Sequence, residues 1–236
     1  MTMPITARPN EVAEVGRRRR RGTSWTVLAI IEVVLATIVI ALDVVVPTFV
    51  ILALVAVSLA IRREPLSTLG FKKDHHPMRM AARVLAMVVV WSLLQLAVFM
   101  PLMNHLTGDR QDLAQFDDIR GNVGLLLGFV VLSWTLAAFG EEIVYRGYLQ
   151  TRVADVLASP RLGMVMGIAI SSILFGLAHT EQGLIGVVVT FLDALFFSAM
   201  KLWQRNNLWA SVLAHGFNNT IGLIAFFLVG PIYGFW

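Results

Sequence analysis

A run of twenty residues without a charged side chain, from Gly121 to Gly140, constrains the fold of this chain more than any other feature. A helix of that length reaches ~30 Å, which is the thickness of the hydrocarbon core of a bilayer. Only 14% of all residues are charged and 57% are hydrophobic, whereas soluble domains carry about 25% charged residues. We therefore expect an all-α, polytopic membrane helix bundle with no sizeable soluble domain.

Apolar segments of similar length recur along the chain and predict about seven transmembrane helices, or eight if residues 207–236 break into two. The predicted spans are Trp25–Ala41, Val44–Ile61, Met80–Met103, a helix that begins near Gly121, Leu162–Ala178, Leu184–Leu202 and Leu208–Val229. Residues 1–24 are predicted to be a disordered basic cytoplasmic tail, ahead of a single membrane-embedded domain over residues 25–236. Anionic lipids are the expected contact of its arginine run, Arg17–Arg21.

The clusters of basic residues between the predicted spans all fall on one side of the membrane. They are Arg17–Arg21, then Arg62, Arg63, Lys72, Lys73, Arg79 and Arg83, then Arg146, Arg152 and Arg161, and finally Lys201 and Arg205. On the other side, the loop 104–120 carries Arg110 and Arg120 against four aspartates, Asp109, Asp112, Asp117 and Asp118. Because cytoplasmic loops carry an excess of Lys and Arg, we expect a cytoplasmic N-terminus and an external C-terminus. The net charge of +4 is explained by this loop bias, and no nucleic-acid partner is expected.

Three of the predicted helices carry polar residues at helical spacing. Residues four apart share a helix face, which gives three pairs: Glu142 with Arg146, Phe175 with His179, and His215 with Asn219. Adjacent residues point about 100° apart, so Glu141 and Glu142 cannot do the same job. We expect Glu142 to pair with Arg146 and Glu141 to face a cavity. Since each ionisable side chain in a membrane is costly, their joint occurrence indicates function rather than packing.

The motifs EExxxR, FxxxH and HxxxN, in this order, resemble those of the CAAX protease and bacteriocin-processing family of intramembrane proteases, which is type II CAAX prenyl endopeptidase-like. They match at Glu141/Glu142/Arg146, Phe175/His179 and His215/Asn219, and the resemblance covers about residues 121–230. The surrounding GEEIVYRGYLQ and LFGLAHTEQG are also typical of this family. The resemblance implies an intramembrane endopeptidase, with the plasma membrane as its location and membrane-associated proteins or peptides as its substrates.

Peptide hydrolysis requires an activated water molecule and stabilisation of an oxyanion. Glu141 can act as the general base, and the resemblance gives His179 the role of holding the same water. His215 and Asn219 can donate hydrogen bonds to the oxyanion. The expected catalytic set is Glu141, Glu142, Arg146, His179, His215 and Asn219, with Phe175 and Tyr145 in support.

A metal ion is the alternative activator of the water. Glu141, His179 and His215 could ligate zinc, although the zinc motif HExxH is absent from the chain. With no cysteine, thiolate sites and thiol nucleophiles are excluded. No cofactor is expected to be obligate, and a divalent metal such as zinc is left open.

Helix rise predicts the depth of these side chains. If the chain turns at Pro160, Glu141 and His179 both lie ~27 Å from that turn and are level with each other. His215 lies only ~13 Å from the turn at Asn206. The two heights agree only if residues 148–162 project beyond the membrane surface.

Two other functional classes fit an intramembrane Glu and His set. One is a proton-coupled transporter, although the internal repeat typical of transporters is absent from the sequence. The other is a non-catalytic immunity or partner protein that keeps the same scaffold. A rhomboid-like serine protease is remote, because Ser171 and Ser172 lack the glycine motif that such a nucleophile needs.

Some residues of the predicted spans lie outside the motifs. Glu32 and Asp193 are acids within spans, and Asp193 is expected to face the cavity from the sixth helix. The small-xxx-small pairs Gly124/Gly128 and Gly163/Gly167 are predicted to allow close helix packing.

Overall fold

The computed structural model describes residues 22–43, 46–157 and 159–230, and all their regular secondary structure is helical. The long helices are α1 (Thr23–Ala41), α2 (Pro47–Arg62), α3 (Pro77–Thr107), α4 (Val123–Val156), α5 (Pro160–Leu177), α6 (Gly183–Trp203) and α7 (Leu208–Val229). Short 3₁₀ turns cover Leu66–Leu69, Ala114–Ile119 and Thr180–Gln182. The predicted all-α membrane bundle is confirmed.

Among the described residues, six helices are long and apolar enough to cross a membrane, and α2 is a shorter apolar helix. The chain is therefore a multi-pass membrane protein, and its helices fall where the seven spans were predicted. α7 runs unbroken from Leu208 to Val229, so the alternative of two helices after residue 207 is wrong as far as the chain is described. Of the predicted polar tail, residues 1–21 lie outside the described residues, and α1 already begins at Thr23.

α4 is the longest helix, with 34 residues. At 1.5 Å per residue it reaches ~51 Å, well beyond the ~30 Å of a hydrocarbon core. Its stretches Ser133–Glu141 and Ile143–Leu149 have the wider turns of a π-helix. Such turns are rare and are frequently found at functional sites.

Two glycines of α5 allow the close approach of α4. A Cβ atom at Gly167 would lie 2.6 Å from the carbonyl oxygen of Gln150, and one at Gly163 would lie 3.0 Å from that of Ala154. The packing role predicted for this pair is confirmed. The same prediction for Gly124 and Gly128 is wrong. A Cβ at Gly124 would meet only the side chain of nearby Asn122, and in the described chain nothing lies within 4 Å of one at Gly128.

A set of charged side chains, of which all but Asp155 are shielded from solvent, joins α1, α2 and the end of α4. We call it the anchor cluster, and it consists of Glu32, Arg62, Glu64, Arg152 and Asp155. Glu32 accepts from Arg62 at 2.8 Å and from the Ser58 hydroxyl at 2.7 Å. Arg152 contacts Glu64 at 2.9 Å, Asp155 at 3.0 Å and Glu32 at 3.4 Å. Glu32, which the sequence motifs do not explain, is therefore a partner of two arginines.

Candidate active site

Glu142 connects α4 to α7 and is fully buried. Its Oε1 atom lies 2.9 Å from Nη1 of Arg146, the ion pair that the spacing predicted, and 3.0 Å from Nδ1 of His215. A carboxylate only accepts hydrogen bonds, so Nδ1 of His215 carries the proton and donates it. Nε2 of His215 is then the nitrogen left for other partners.

Glu141 takes the other position that the sequence predicted for the pair. It lines a cavity, and its side chain keeps 19% of its surface exposed. Its Oε2 atom lies 4.0 Å from Nε2 of His215, too far for a direct hydrogen bond. One water molecule could donate a hydrogen bond to each of these two acceptors.

His179 lies just after the end of α5 and also lines the cavity. Its Nδ1 atom is 2.8 Å from the carbonyl oxygen of Phe175. Because a carbonyl only accepts, this nitrogen carries the proton and Nε2 of the neutral ring is an acceptor. The ring centroids of Phe175 and His179 are 4.8 Å apart, as expected for side chains four residues apart.

Aromatic rings fix the positions of Arg146 and His215. The guanidinium of Arg146 lies 4.4 Å from the ring centroid of Phe175 and 5.3 Å from that of Phe197. Phe197 stacks on His215 with centroids 4.7 Å apart and ring planes 16° from parallel. On the other side, the ammonium of Lys201 donates to the backbone carbonyl of Arg146.

Tyr145, which was predicted to be a supporting residue, is buried beside Phe175. It is 3% exposed and is not among the residues that line the cavity. Its ring packs edge-on against Phe175, with centroids 5.0 Å apart. Tyr145 therefore packs against Phe175 without lining the cavity itself.

The cavity has a volume of about 510 Å³ and lies between α3, α4, α6 and α7. The expected catalytic residues that line it are Glu141, His179, His215 and Asn219. Helix rise alone gave Glu141 and His215 different distances from their turns. The separation of 4.0 Å between their side chains shows that they lie at the same depth in the bundle. α4 continues as a helix to Val156, and this extension accounts for the longer distance from Glu141 to the turn at Pro160.

The cavity also contains polar residues that the motifs did not predict. Ser92 and Gln95 enter it from α3, and Asp193 from α6, where it was expected. The hydroxyl of Ser92 donates to Oδ1 of Asn218 at 3.3 Å. Polar side chains in the middle of an otherwise apolar span were the available signal for Ser92 and Gln95.

The side chains proposed as zinc ligands are not arranged to hold a metal ion. In the described ranges, no three His, Asp or Glu side chains are grouped closely enough for one. Two ligands about 2.1 Å from a tetrahedral zinc ion lie roughly 3.4 Å apart, whereas Glu141 and His215 are 4.0 Å apart. Glu141, His179 and His215 therefore do not form a ready zinc site.

A family model described as Type II CAAX prenyl endopeptidase Rce1-like matches residues 123–221. This segment is an Rce1-like domain. No match was found among the curated proteins or the solved structures. The Rce1-like domain begins with α4 and ends within α7, so it contains every residue of the three motifs. α1, α2 and α3 lie outside the match, although α3 forms one wall of the cavity.

The match of this segment has two direct consequences. The Rce1-like family is a family of proteases, so its members act on protein or peptide substrates. The match also covers the four cavity residues of the expected catalytic set.

Proposed function

We propose that the chain is an intramembrane endopeptidase in which a water molecule activated by Glu141 cleaves peptide bonds of membrane-associated proteins or peptides. The observation that carries this proposal is the meeting of Glu141, His179 and His215 at one cavity within a domain of a protease family.

The attacking water would be held between two acceptors, Oε2 of Glu141 and Nε2 of His179. The geometry of His179 supports this role, because its bond to the carbonyl of Phe175 leaves Nε2 free to accept. Glu141 would remove one proton as the water oxygen attacks the carbonyl carbon. The same proton then passes to the leaving nitrogen, so that the products are an amine and a carboxylic acid, which loses its remaining proton to solvent.

The oxyanion formed in this step requires donors in its vicinity. Asn219, one turn after His215 on α7, can donate from its amide nitrogen. Nε2 of His215 donates only when the ring is an imidazolium, since Nδ1–H is already bound to Glu142. The carboxylate of Glu142 would stabilise that imidazolium, and Arg146 would hold the carboxylate in place. Glu142 and Arg146 are thus positioning residues in this mechanism.

The walls of the cavity fit a substrate that is itself embedded in the membrane. Apolar side chains from α3, α4 and α7 form a large part of its lining, among them Leu96, Leu132, Leu136 and Ile221. We propose the plasma membrane as the location, with the N-terminus in the cytoplasm, from the distribution of basic residues along the chain.

Comparative proteomics of membrane and released peptides tests the function. Cells that carry the wild-type chain are compared with cells that carry Glu141→Ala, and with a control variant, Arg161→Met, at an exposed position of α5. Uncut precursors should accumulate with Glu141→Ala only. Identical peptide profiles in all three strains, at equal protein levels, would refute the proposal.

A further inference from the structure

Asp193 is a buried acid that the proposed mechanism does not use. It lies ten residues into α6, ~15 Å from the beginning of that helix, and it is 8% exposed. Acids at such a depth are rare and usually functional. Asp193 lines the same cavity as the proposed catalytic residues.

Only one of the two carboxylate oxygens of Asp193 is occupied by protein donors. Oδ1 accepts from the indole Nε1 of Trp91 at 2.7 Å and from Nε2 of Gln95 at 2.9 Å, both on α3. Trp91 is itself held by a parallel stack on Phe196, with centroids 4.9 Å apart. In the described part of the chain Oδ2 has no hydrogen-bond partner, and it is left for an occupant of the cavity.

The charges around the cavity favour a cationic occupant. Its carboxylates are Glu141, Glu181 and Asp193, and among the described residues that line it there is no lysine or arginine. Arg146 attracts Asp193 electrostatically, but it is paired with Glu142 and does not line the cavity. A low-dielectric cleft lined by one sign of charge concentrates ligands of the opposite sign.

The position of Asp193 along α6 sets its distance from the chemistry. Phe197 follows one turn later on the same face, ~6 Å further along the helix, and stacks on His215. An extended peptide advances about 3.3 Å per residue. A side chain that reaches Asp193 therefore belongs to a residue within about three positions of the bond beside His215.

We propose that Oδ2 of Asp193 binds the ammonium or guanidinium group of a lysine or arginine in the peptide substrate, within about three residues of the cleaved bond. The two neutral donors on Oδ1 orient the carboxylate so that its second oxygen receives this cation. A charge-assisted hydrogen bond of this kind is the strong type. The inference rests on the proposed endopeptidase function and names the substrate feature that its cavity selects.

The variant Asp193→Asn separates recognition from simple packing. An asparagine keeps the oxygen that accepts from Trp91 and Gln95, and it replaces Oδ2 with an amide group that repels a cation's donors. A role limited to joining α3 and α6 would leave substrate preference unchanged. Glu181→Gln is the matched control, because it neutralises another acid of the same cavity.

The decisive measurement is binding, made in the Glu141→Gln background so that no peptide is consumed. Fluorescent apolar peptides with a single lysine are compared with the same peptides carrying norleucine there, at each position in turn, by anisotropy in nanodiscs. We expect the lysine peptide to bind about 10- to 100-fold more tightly at one position, the range of a hydrogen bond to a charged group. Asp193→Asn should abolish the difference, and Glu181→Gln should preserve it.

Three results would overturn the proposal: no lysine preference in the parent, a preference that survives Asp193→Asn, or one that Glu181→Gln removes equally. If Asp193→Asn does not fold, a photoreactive lysine analogue in the peptide replaces it. Labelling of α6 near Asp193 or of α3 near Trp91 supports the subsite, and labelling confined to other helices overturns it.

Cleavage assays with Glu141 intact separate this inference from the proposed function. Where peptides are cleaved, Asp193→Asn should raise KM for the lysine peptide and leave kcat nearly unchanged. Absence of cleavage in every protein, with the binding preference intact, would refute the endopeptidase and retain the subsite. Cleavage without any lysine preference would support the endopeptidase and refute the subsite at Asp193.

Discussion

α4 carries two buried arginines less than two turns apart, Arg146 and Arg152. They differ in the number of carboxylates that they contact and in whether a neighbouring carboxylate reaches the cavity. Arg152, in the anchor cluster, contacts three carboxylates, and in the described chain none of that cluster's residues lines the cavity. Arg146 pairs with one carboxylate, Glu142, while the neighbouring Glu141 keeps an oxygen at the cavity. Burial of charge therefore does not mark the active site by itself. The distinguishing feature is an acceptor that a reactant can reach.

The two regions also use their charges for different tasks. The anchor cluster joins residues from α1, from the end of α2 and from α4, so its ion pairs hold separate helices together. In the proposed mechanism, the ion pair of Glu142 with Arg146 orients His215, and Glu141 stays accessible at the cavity. We therefore expect substitutions in the first region to reduce stability and those in the second to reduce cleavage.

The largest effect should come from Glu141→Gln, which removes the proposed base and keeps the shape of the side chain. We expect cleavage to fall by about 10²- to 10⁴-fold, the contribution of a general base, with little change in thermal stability. Purified protein in lipid vesicles and a fluorogenic peptide provide the measurement. The matched substitution in the anchor cluster, Glu32→Gln, should retain cleavage per folded molecule. Equal losses of cleavage in both variants would contradict the assignment of catalysis to the region around Arg146 and of stability to the anchor cluster.

Arg152→Met should have the next largest effect, which is a loss of folding stability. Removing one partner of a buried ion pair typically destabilises by about 3–5 kcal/mol, because the opposite charge loses a group that compensated its burial. Here Glu32 and Glu64 lose a cation. Unfolding in denaturing detergent monitors the change, with Arg161→Met at an exposed site as control. A stable Arg152→Met protein that no longer cleaves would contradict the assignment of this region.

A smaller effect is expected at the packing contact between the two regions. An alanine at Gly167 would press against the backbone of Gln150, which lies between Arg146 and Arg152 on α4. Overpacking of this kind costs about 1–3 kcal/mol. Gly128→Ala, where a Cβ meets nothing, should be neutral or slightly stabilising because alanine favours helix. Equal unfolding midpoints for the two variants would contradict the close approach of α5 to α4.

The smallest effect should follow Asp155→Asn at the edge of the anchor cluster. Its side chain keeps 37% of its surface exposed, and exposed ion pairs contribute at most about 1 kcal/mol. Addition of salt should narrow the difference from wild type further. A loss as large as that of Arg152→Met would mean that Asp155 is an equal member of the cluster.

Much of this arrangement follows from the sequence because helix periodicity is a local property. Apolar length located every span, and the spacing of four residues predicted the contacts of Glu142 with Arg146 and of Phe175 with His179. The motifs also pointed to the segment that the family model matches.

The sequence alone did not predict the contacts between helices that are distant along the chain. Periodicity shows which side chains share a face, and it does not show which helix packs against that face. The bond between Glu142 and His215 and the wall formed by α3 were therefore not predicted. For the same reason, Glu32 was left without partners until Arg62 and Arg152 were placed beside it.

The ammonium of Lys201 compensates locally for the absence of solvent. A buried backbone carbonyl within the π-helical stretch of α4 is shielded from solvent, so a protein group must satisfy it. Lys201 does so at Arg146 and also reaches Oε1 of Gln150 at 3.4 Å, while Gln150 donates to the hydroxyl of Ser198 at 2.8 Å. These bonds lock the register of α6 against α4. α6, the helix that carries Asp193, thus also satisfies a carbonyl in the wide turns of α4, and sliding of α6 along α4 would break these hydrogen bonds.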